Sequence, residues 1–91
     1  MRIALITRDK PKHLQVRLDN REAHLAYIKE TGVVEMAGPF LDDGGQMCGS
    51  LIILEVENIA VAESWAAQDP YNKANIFESM NITQWNKLIG K

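Results

Sequence analysis

The chain has a single cysteine, Cys48, among 91 residues. An intrachain disulfide is therefore impossible, and the Cys/His spacings of zinc sites are missing. No GxGxxG, P-loop, HExxH or GxSxG pattern is present, so nucleotide, metal and serine-hydrolase readings have no support and no cofactor is expected. No run approaches the roughly 20 apolar residues of a membrane span. The N-terminal MRIALITRDK has too short an apolar core for a signal peptide and no small-residue cleavage site, so a cytoplasmic location is the expectation. Neither sign of charge dominates: 10 basic residues stand against 12 acidic ones, for a net charge of −2. The one locally basic stretch, Arg8 to Arg21, is broken up by Asp9 and Asp19, with Glu22 just beyond. It reads as a solvated surface, with neither nucleic acid nor membrane as partner.

What remains, 46% hydrophobic and 24% charged, is the composition of a globular protein. The length suits one domain over residues 1–91. RIALITR is apolar from Ile3 to Ile6 and predicts a strand buried on both faces. After the polar break Lys10-Pro11-Lys12, a helix is predicted from about Leu14 to Thr31, with Leu14, Leu18, Leu25 and Ile28 on one stripe. Asp19 with Glu22 could instead form a capping box that starts the helix at Asn20. Gly32 stands where a C-terminal cap belongs.

VVEMAGPFL predicts a second strand. Pro39 cannot donate to a ladder, so this should be an edge strand, a bulge, or a strand ending near Gly38. The turn residues Asp42 to Gly45 then suggest a hairpin into SLIILEVE. There Ile52, Leu54 and Val56 face one way, while Leu51 and Ile53 are apolar on the other side. An antiparallel strand with one wet face should alternate cleanly, so something covers both faces of this sheet. Asn58 is a plausible N-cap for a second helix with Ala62, Trp65 and Ala66 on its apolar stripe. After Asp69-Pro70 and a short turn, a closing strand carries Ile76, Met80 and Ile82 on one face and Phe77 and Trp85 on the other.

The order β-α-β-β-α-β is that of the split βαβ, or ferredoxin-like, α+β fold with an antiparallel four-stranded sheet. Two helices cover one face of such a sheet. A second copy is the simplest cover for the other, so a homodimer packed sheet to sheet is expected.

Few residues can carry chemistry. His24 lies at the margin of the first helix's apolar stripe, and imidazole suits proton transfer in both directions near neutral pH. The alternative is a boundary histidine bonded to a backbone carbonyl. Arg21, three residues earlier, shares its helix face and could hold an anionic substrate, or could simply pair with Glu22 or Glu55. Asp69 is a natural N-cap with proline at the first helical position, and equally a carboxylate that could orient a histidine. Tyr71 could bring a phenol to the same place or merely pack. Gly38 could let the backbone approach a ligand closely or serve only the turn. Cys48 has no neighbour to activate it, and His13 is read as exposed and without a role.

RLDNREAHLAYI, EMAGPF, LEVEN and AAQDPYNKANIFESMNITQW, taken in this order, resemble the YCII-related (YciI-like) family over nearly the whole chain. The resemblance implies the dimeric α+β barrel form of the ferredoxin-like fold, shared with muconolactone isomerase-like enzymes. It also implies a catalytic dyad: the histidine of R-x-x-H-L corresponds to His24 and the aspartate of D-P-Y to Asp69. Arg21 and Gly38 fall on matching motif positions and would bind substrate. Many relatives carry phenylalanine where this chain has Tyr71.

Together these readings favour a cofactor-independent isomerase or lyase in which His24 transfers protons and Asp69 orients it. The alternatives are a dimeric module that binds a small molecule without turnover, and a dimer in which both residues are structural.

Overall fold

The computed structural model describes residues 1–90. Its elements run β1 (Arg2–Asp9), α1 (Leu14–Thr31), β2 (Val34–Leu41), β3 (Met47–Glu55), α2 (Ile59–Gln68), the one-turn α3 (Pro70–Lys73) and β4 (Phe77–Gln84). The four strands form one antiparallel sheet in the order β2-β3-β1-β4. This is the ferredoxin-like fold, with its two main helices on one face of the sheet.

Local chemistry explains most element boundaries. Gly32 closes α1 in the left-handed conformation at φ 67°, its N–H bonded to the Ile28 carbonyl. Asn58 caps α2 by accepting the Val61 N–H at 3.0 Å. β2 is an edge strand, which tolerates Pro39, and its pairing shifts register near both ends. In the β2–β3 turn Asp42 accepts from the Gly44 and Gln46 N–H groups, and Gly45 takes φ 79°.

Pairing register assigns the faces. Ile3 opposes Leu54 and Leu5 opposes Ile52, and these four form the core with Val56, Ala62, Trp65 and Ala66. The stripe expected on α2 is the buried one. Two side-chain bonds tie the helices together: Tyr27 Oη donates to the Trp65 carbonyl at 2.8 Å, and Trp65 Nε1 donates to Thr31 Oγ1 at 2.9 Å. The opposite face carries Ala4, Ile6, Met36, Leu51 and Ile53, so β3 is apolar on both sides as its sequence indicated. No helix among the described residues is long and apolar enough to cross a membrane.

The fold decides three readings, one open alternative and two expectations that need correction. α1 begins at Leu14 as expected, and the alternative start at Asn20 falls away because Asp19 accepts from the Gln15 side chain and caps no helix. Leu18 and Leu25 are nearly half exposed, while the residues α1 buries are Arg17 and His24. The helix turns Arg17 and His24 inward because the sheet and α3 supply partners for them, while Ile28 of the expected stripe packs, partly buried, against the core with Tyr27. Phe77 is the third case. A register shift between Arg8 and Asp9 pairs Phe77 with Asp9, whose carboxylate bonds Arg17 of α1. The bulge thus carries Phe77 to the helix side, edge-on to Tyr71 with centroids 6.4 Å apart.

Candidate active site

The site forms where α1 passes the α2–α3 junction. Asp69 ends α2 and caps α3: its extended backbone (φ −59°, ψ 128°) stops one helix, and Pro70 starts the next. This turn holds the Asp69 carboxylate rigidly, with Oδ1 accepting the Tyr71 N–H at 3.0 Å. The same Oδ1 lies 2.7 Å from His24 Nδ1. A carboxylate oxygen accepts, so Nδ1 donates and Nε2 is left as the basic nitrogen. Both side chains are almost wholly buried, at 7% and 1% exposure. One oxygen therefore performs both tasks, capping and orienting, while Oδ2 is buried without a partner among the described residues.

The D-P-Y segment grips His24 from a second direction. The Tyr71 ring stacks on the imidazole with centroids 3.9 Å apart and planes 11° from parallel. The Arg17 guanidinium also lies over that phenol ring, 4.5 Å from its centroid. Arg17 and His24 are two turns apart on α1, so the ring is wedged between them. The imidazole is thus fixed in its plane by Asp69 and on its face by Tyr71. Burial raises the pKa of the Tyr71 phenol, although the charges of Arg17 and Arg21 pull it back.

Arg17 is buried and bidentate to Asp9, at 2.6 and 2.9 Å, and its Nη2 also donates to Ser50 Oγ at 3.0 Å. Burial opposes its charge, but the Asp9 carboxylate outweighs burial and holds the guanidinium pKa above its ordinary value. Arg17, Asp9 and Ser50 were missed as site residues in the sequence. The available signal was the spacing of Arg17, Arg21, His24 and Ile28, at i, i+4, i+7 and i+11, which puts them on one helical stripe.

Beside this network lies a cleft of about 150 Å³ between α1 and the β2 edge. Arg21, His24 and Leu25 line it from the helix, Gly38 and Pro39 from β2, and Ser50 from β3. Tyr71 also reaches it. The cleft therefore gathers Arg21, His24, Gly38 and Tyr71 from the sequence-based set, with Asp69 directly behind His24. An added Cβ at Gly38 would meet nothing within 4 Å, so no neighbouring atom requires glycine there. His24 Nε2 makes no hydrogen bond and is not sealed from the cleft, since Asp69 Oδ2 is the sole buried, unpartnered side-chain polar atom among the described residues. Arg21 is exposed and joins no salt bridge among these residues; Glu55, one partner considered for it, pairs with the N-terminal amine. The described residues contain no group of three or more His, Cys, Asp or Glu able to hold a metal ion.

Against known proteins, the family model for the YCII-related domain matches residues 1–86. An uncharacterized protein of Haemophilus influenzae is 33% identical, over 98% of this chain and 100% of its own length. Protein YciI of Escherichia coli is 32% identical with the same coverage. Among solved structures, 5-chloro-2-hydroxyhydroquinone dehydrochlorinase (TftG) from Burkholderia phenoliruptrix, in complex with 2,5-dihydroxybenzoquinone, superposes with a TM-score of 0.86. It is 34% identical, with 94% of each chain covered. An antibiotic biosynthesis monooxygenase, 10% identical over 97% of this chain and 98% of its own, shares the fold with a TM-score of 0.61. With the family model spanning nearly its full length, the chain belongs to the YCII-related domain family.

Proposed function

We propose that this protein is a small cofactor-independent enzyme, of isomerase or lyase type, that moves a proton on an oxygenated one-ring substrate. The observation that carries this reading is the His24–Asp69 contact, with the second imidazole nitrogen left open to a cleft. His24 Nε2 takes a proton from carbon or from a ring hydroxyl, and the electron pair moves into the conjugated system to leave an oxyanion. Asp69 holds the imidazolium so formed, and Arg21 faces the oxyanion. Returning the proton to a different carbon completes an isomerisation. Expulsion of an anionic leaving group with its bonding pair completes an elimination. Neither course consumes an oxidant or reductant.

The size of the cleft agrees with this substrate class, because an engineered cavity of about 150 Å³ holds a benzene-sized ring. The dehydrochlorinase is a relative at 34% identity whose named substrate is a chlorinated hydroxyhydroquinone. Its chemistry, loss of a proton and a chloride from a hydroxylated ring, is the type this site would perform. The working form is a homodimer. Met36, Leu51 and Trp85, each 37–44% exposed, leave the sheet face opposite the helices and its margin partly apolar, which is a face a second copy would cover.

The test is turnover of chlorinated and unchlorinated hydroxyhydroquinones and of enol lactones, followed by absorbance and by chloride release. Wild type should convert at least one class, and His24→Gln should abolish that activity while remaining folded. Tight binding of these compounds without turnover would instead establish the non-catalytic binding module.

A further inference from the structure

Ser50 is buried in β3 and faces the helix layer, since it pairs with Thr7 and Pro39 and alternates with Ile52 and Leu54. Its backbone N–H is taken by Thr7 Oγ1 at 3.1 Å. Its hydroxyl oxygen receives an N–H from Arg17 at 3.0 Å. The direction of this last bond is set by chemistry, because a guanidinium has donors and no acceptor. Ser50 Oγ thus spends a lone pair on Arg17 and keeps its own proton. No acceptor for that proton exists among the described residues, and the side chain lines the cleft.

A hydroxyl that accepts from a cation becomes a stronger donor through polarisation. Arg17 is in turn fixed by both Asp9 oxygens, so the chain Asp9–Arg17–Ser50 is rigid and ends in the cleft. On the helix side of the same cleft stand Arg21, which can only donate, and His24, whose Nε2 can accept.

We propose that Ser50 is a direct substrate contact, whose hydroxyl donates to an anionic oxygen of the substrate while His24 Nε2 faces the group that gives up its proton. This rests on the function proposed above and narrows the substrate to an acidic hydroxyquinone or enol that binds as its oxyanion. Arg17 and Asp9 act behind Ser50 as positioning residues. A neutral ether in place of the acidic hydroxyl gains nothing from Ser50 beyond an ordinary hydrogen bond.

The experiment is calorimetric titration of wild type, Ser50→Ala and Ser50→Thr with 2,5-dihydroxybenzoquinone and, separately, with 2,5-dimethoxybenzoquinone. Ser50→Ala should weaken the acidic probe roughly ten- to hundredfold, as loss of a hydrogen bond to a charged group does, and weaken the ether at most about fivefold, the scale of an ordinary neutral hydrogen bond. Ser50→Thr, which restores a hydroxyl, should recover most of the lost affinity. Equal binding of the acidic probe by wild type and Ser50→Ala would overturn the assignment and spare the proposed function. Equal losses for both probes would also overturn it, by showing that the cleft had merely changed shape. Failure of wild type to bind the acidic probe, with no change in the His24 ring resonances, would overturn both. Should Ser50→Ala not fold by circular dichroism, Ser50→Cys, close in size and a weak donor, takes its place with the same expected outcomes.

Discussion

His24 Nδ1 and Asp69 Oδ1 are 45 residues apart in the chain and 2.7 Å apart in the fold. The oxygen that bonds the imidazole is also the one that caps α3. The turn that begins α3 and the contact that orients His24 are therefore a single structural unit.

That arrangement sets the histidine tautomer. In the neutral protein the His24 proton should sit on Nδ1, with Nε2 bare, and ¹⁵N spectra of the ring will read this directly. Asp69→Asn should mix the tautomers, because an amide can donate as well as accept. Asp69→Ala should in addition cost about 2–4 kcal/mol in urea unfolding, from the lost cap and an unpaired buried imidazole. A pure Nε2–H tautomer in wild type would refute the proposed role of His24 as base.

Stability at high pH should depend on Tyr71. Burial raises its folded-state pKa, so the folded chain keeps the phenol proton at pH values where the unfolded chain has released it. The stability from this difference is complete below the unfolded value of about 10 and is lost as pH rises through the folded value. Tyr71→Phe keeps the stacked ring and should flatten part of this alkaline decline in denaturant midpoints measured from pH 8 to 11. Tyr27, which burial and the Asp69 charge shift in the same direction, adds to the decline that is left. An unchanged alkaline slope in Tyr71→Phe would contradict the burial argument.

The buried Asp9–Arg17 pair should be intolerant of single substitutions. Removing one partner of a buried ion pair leaves the other charge uncompensated, at about 3–5 kcal/mol. Arg17→Met and Asp9→Asn should each approach that cost, and the double variant should cost clearly less than their sum. Single costs below about 1 kcal/mol, the level of a surface pair, would show that solvent reaches the pair.

The open sheet face gives a test of assembly. Leu51 is 37% exposed there, in register with Ile6 and Gly38. Leu51→Asp should convert the proposed dimer to monomer in sedimentation at micromolar concentration, with the secondary structure retained. A wild-type monomer at that concentration would remove the dimer from the model of function.

The site was only partly legible in the sequence. His24 and Asp69 were singled out because one is a titratable group on a helix face and the other a capping residue in a recognisable turn. Tyr71 was noted for its phenol, yet its ring stack on His24 is the contact the fold makes. Arg17 went unnoticed because a lone arginine on a helix reads as solvent-exposed unless its partners are known. Leu18 and Leu25 misled for the same reason: an apolar stripe marks the buried face only when the opposing surface is apolar too.

The order of elements, the caps at Gly32 and Asn58, and the two-sided apolar character of β3 were determined by the sequence itself. Each depends on neighbours within a few residues or on a simple period, and turn and helix preferences are local. The tertiary structure alone decided which stripe of α1 turns inward and where Phe77 points. It also decided that one oxygen of Asp69 both caps and orients. Burying a polar group is favourable only when a partner meets it, and the partners of Arg17, Asp9 and Ser50, are 8 and 33 residues away. Only the folded chain brings them together.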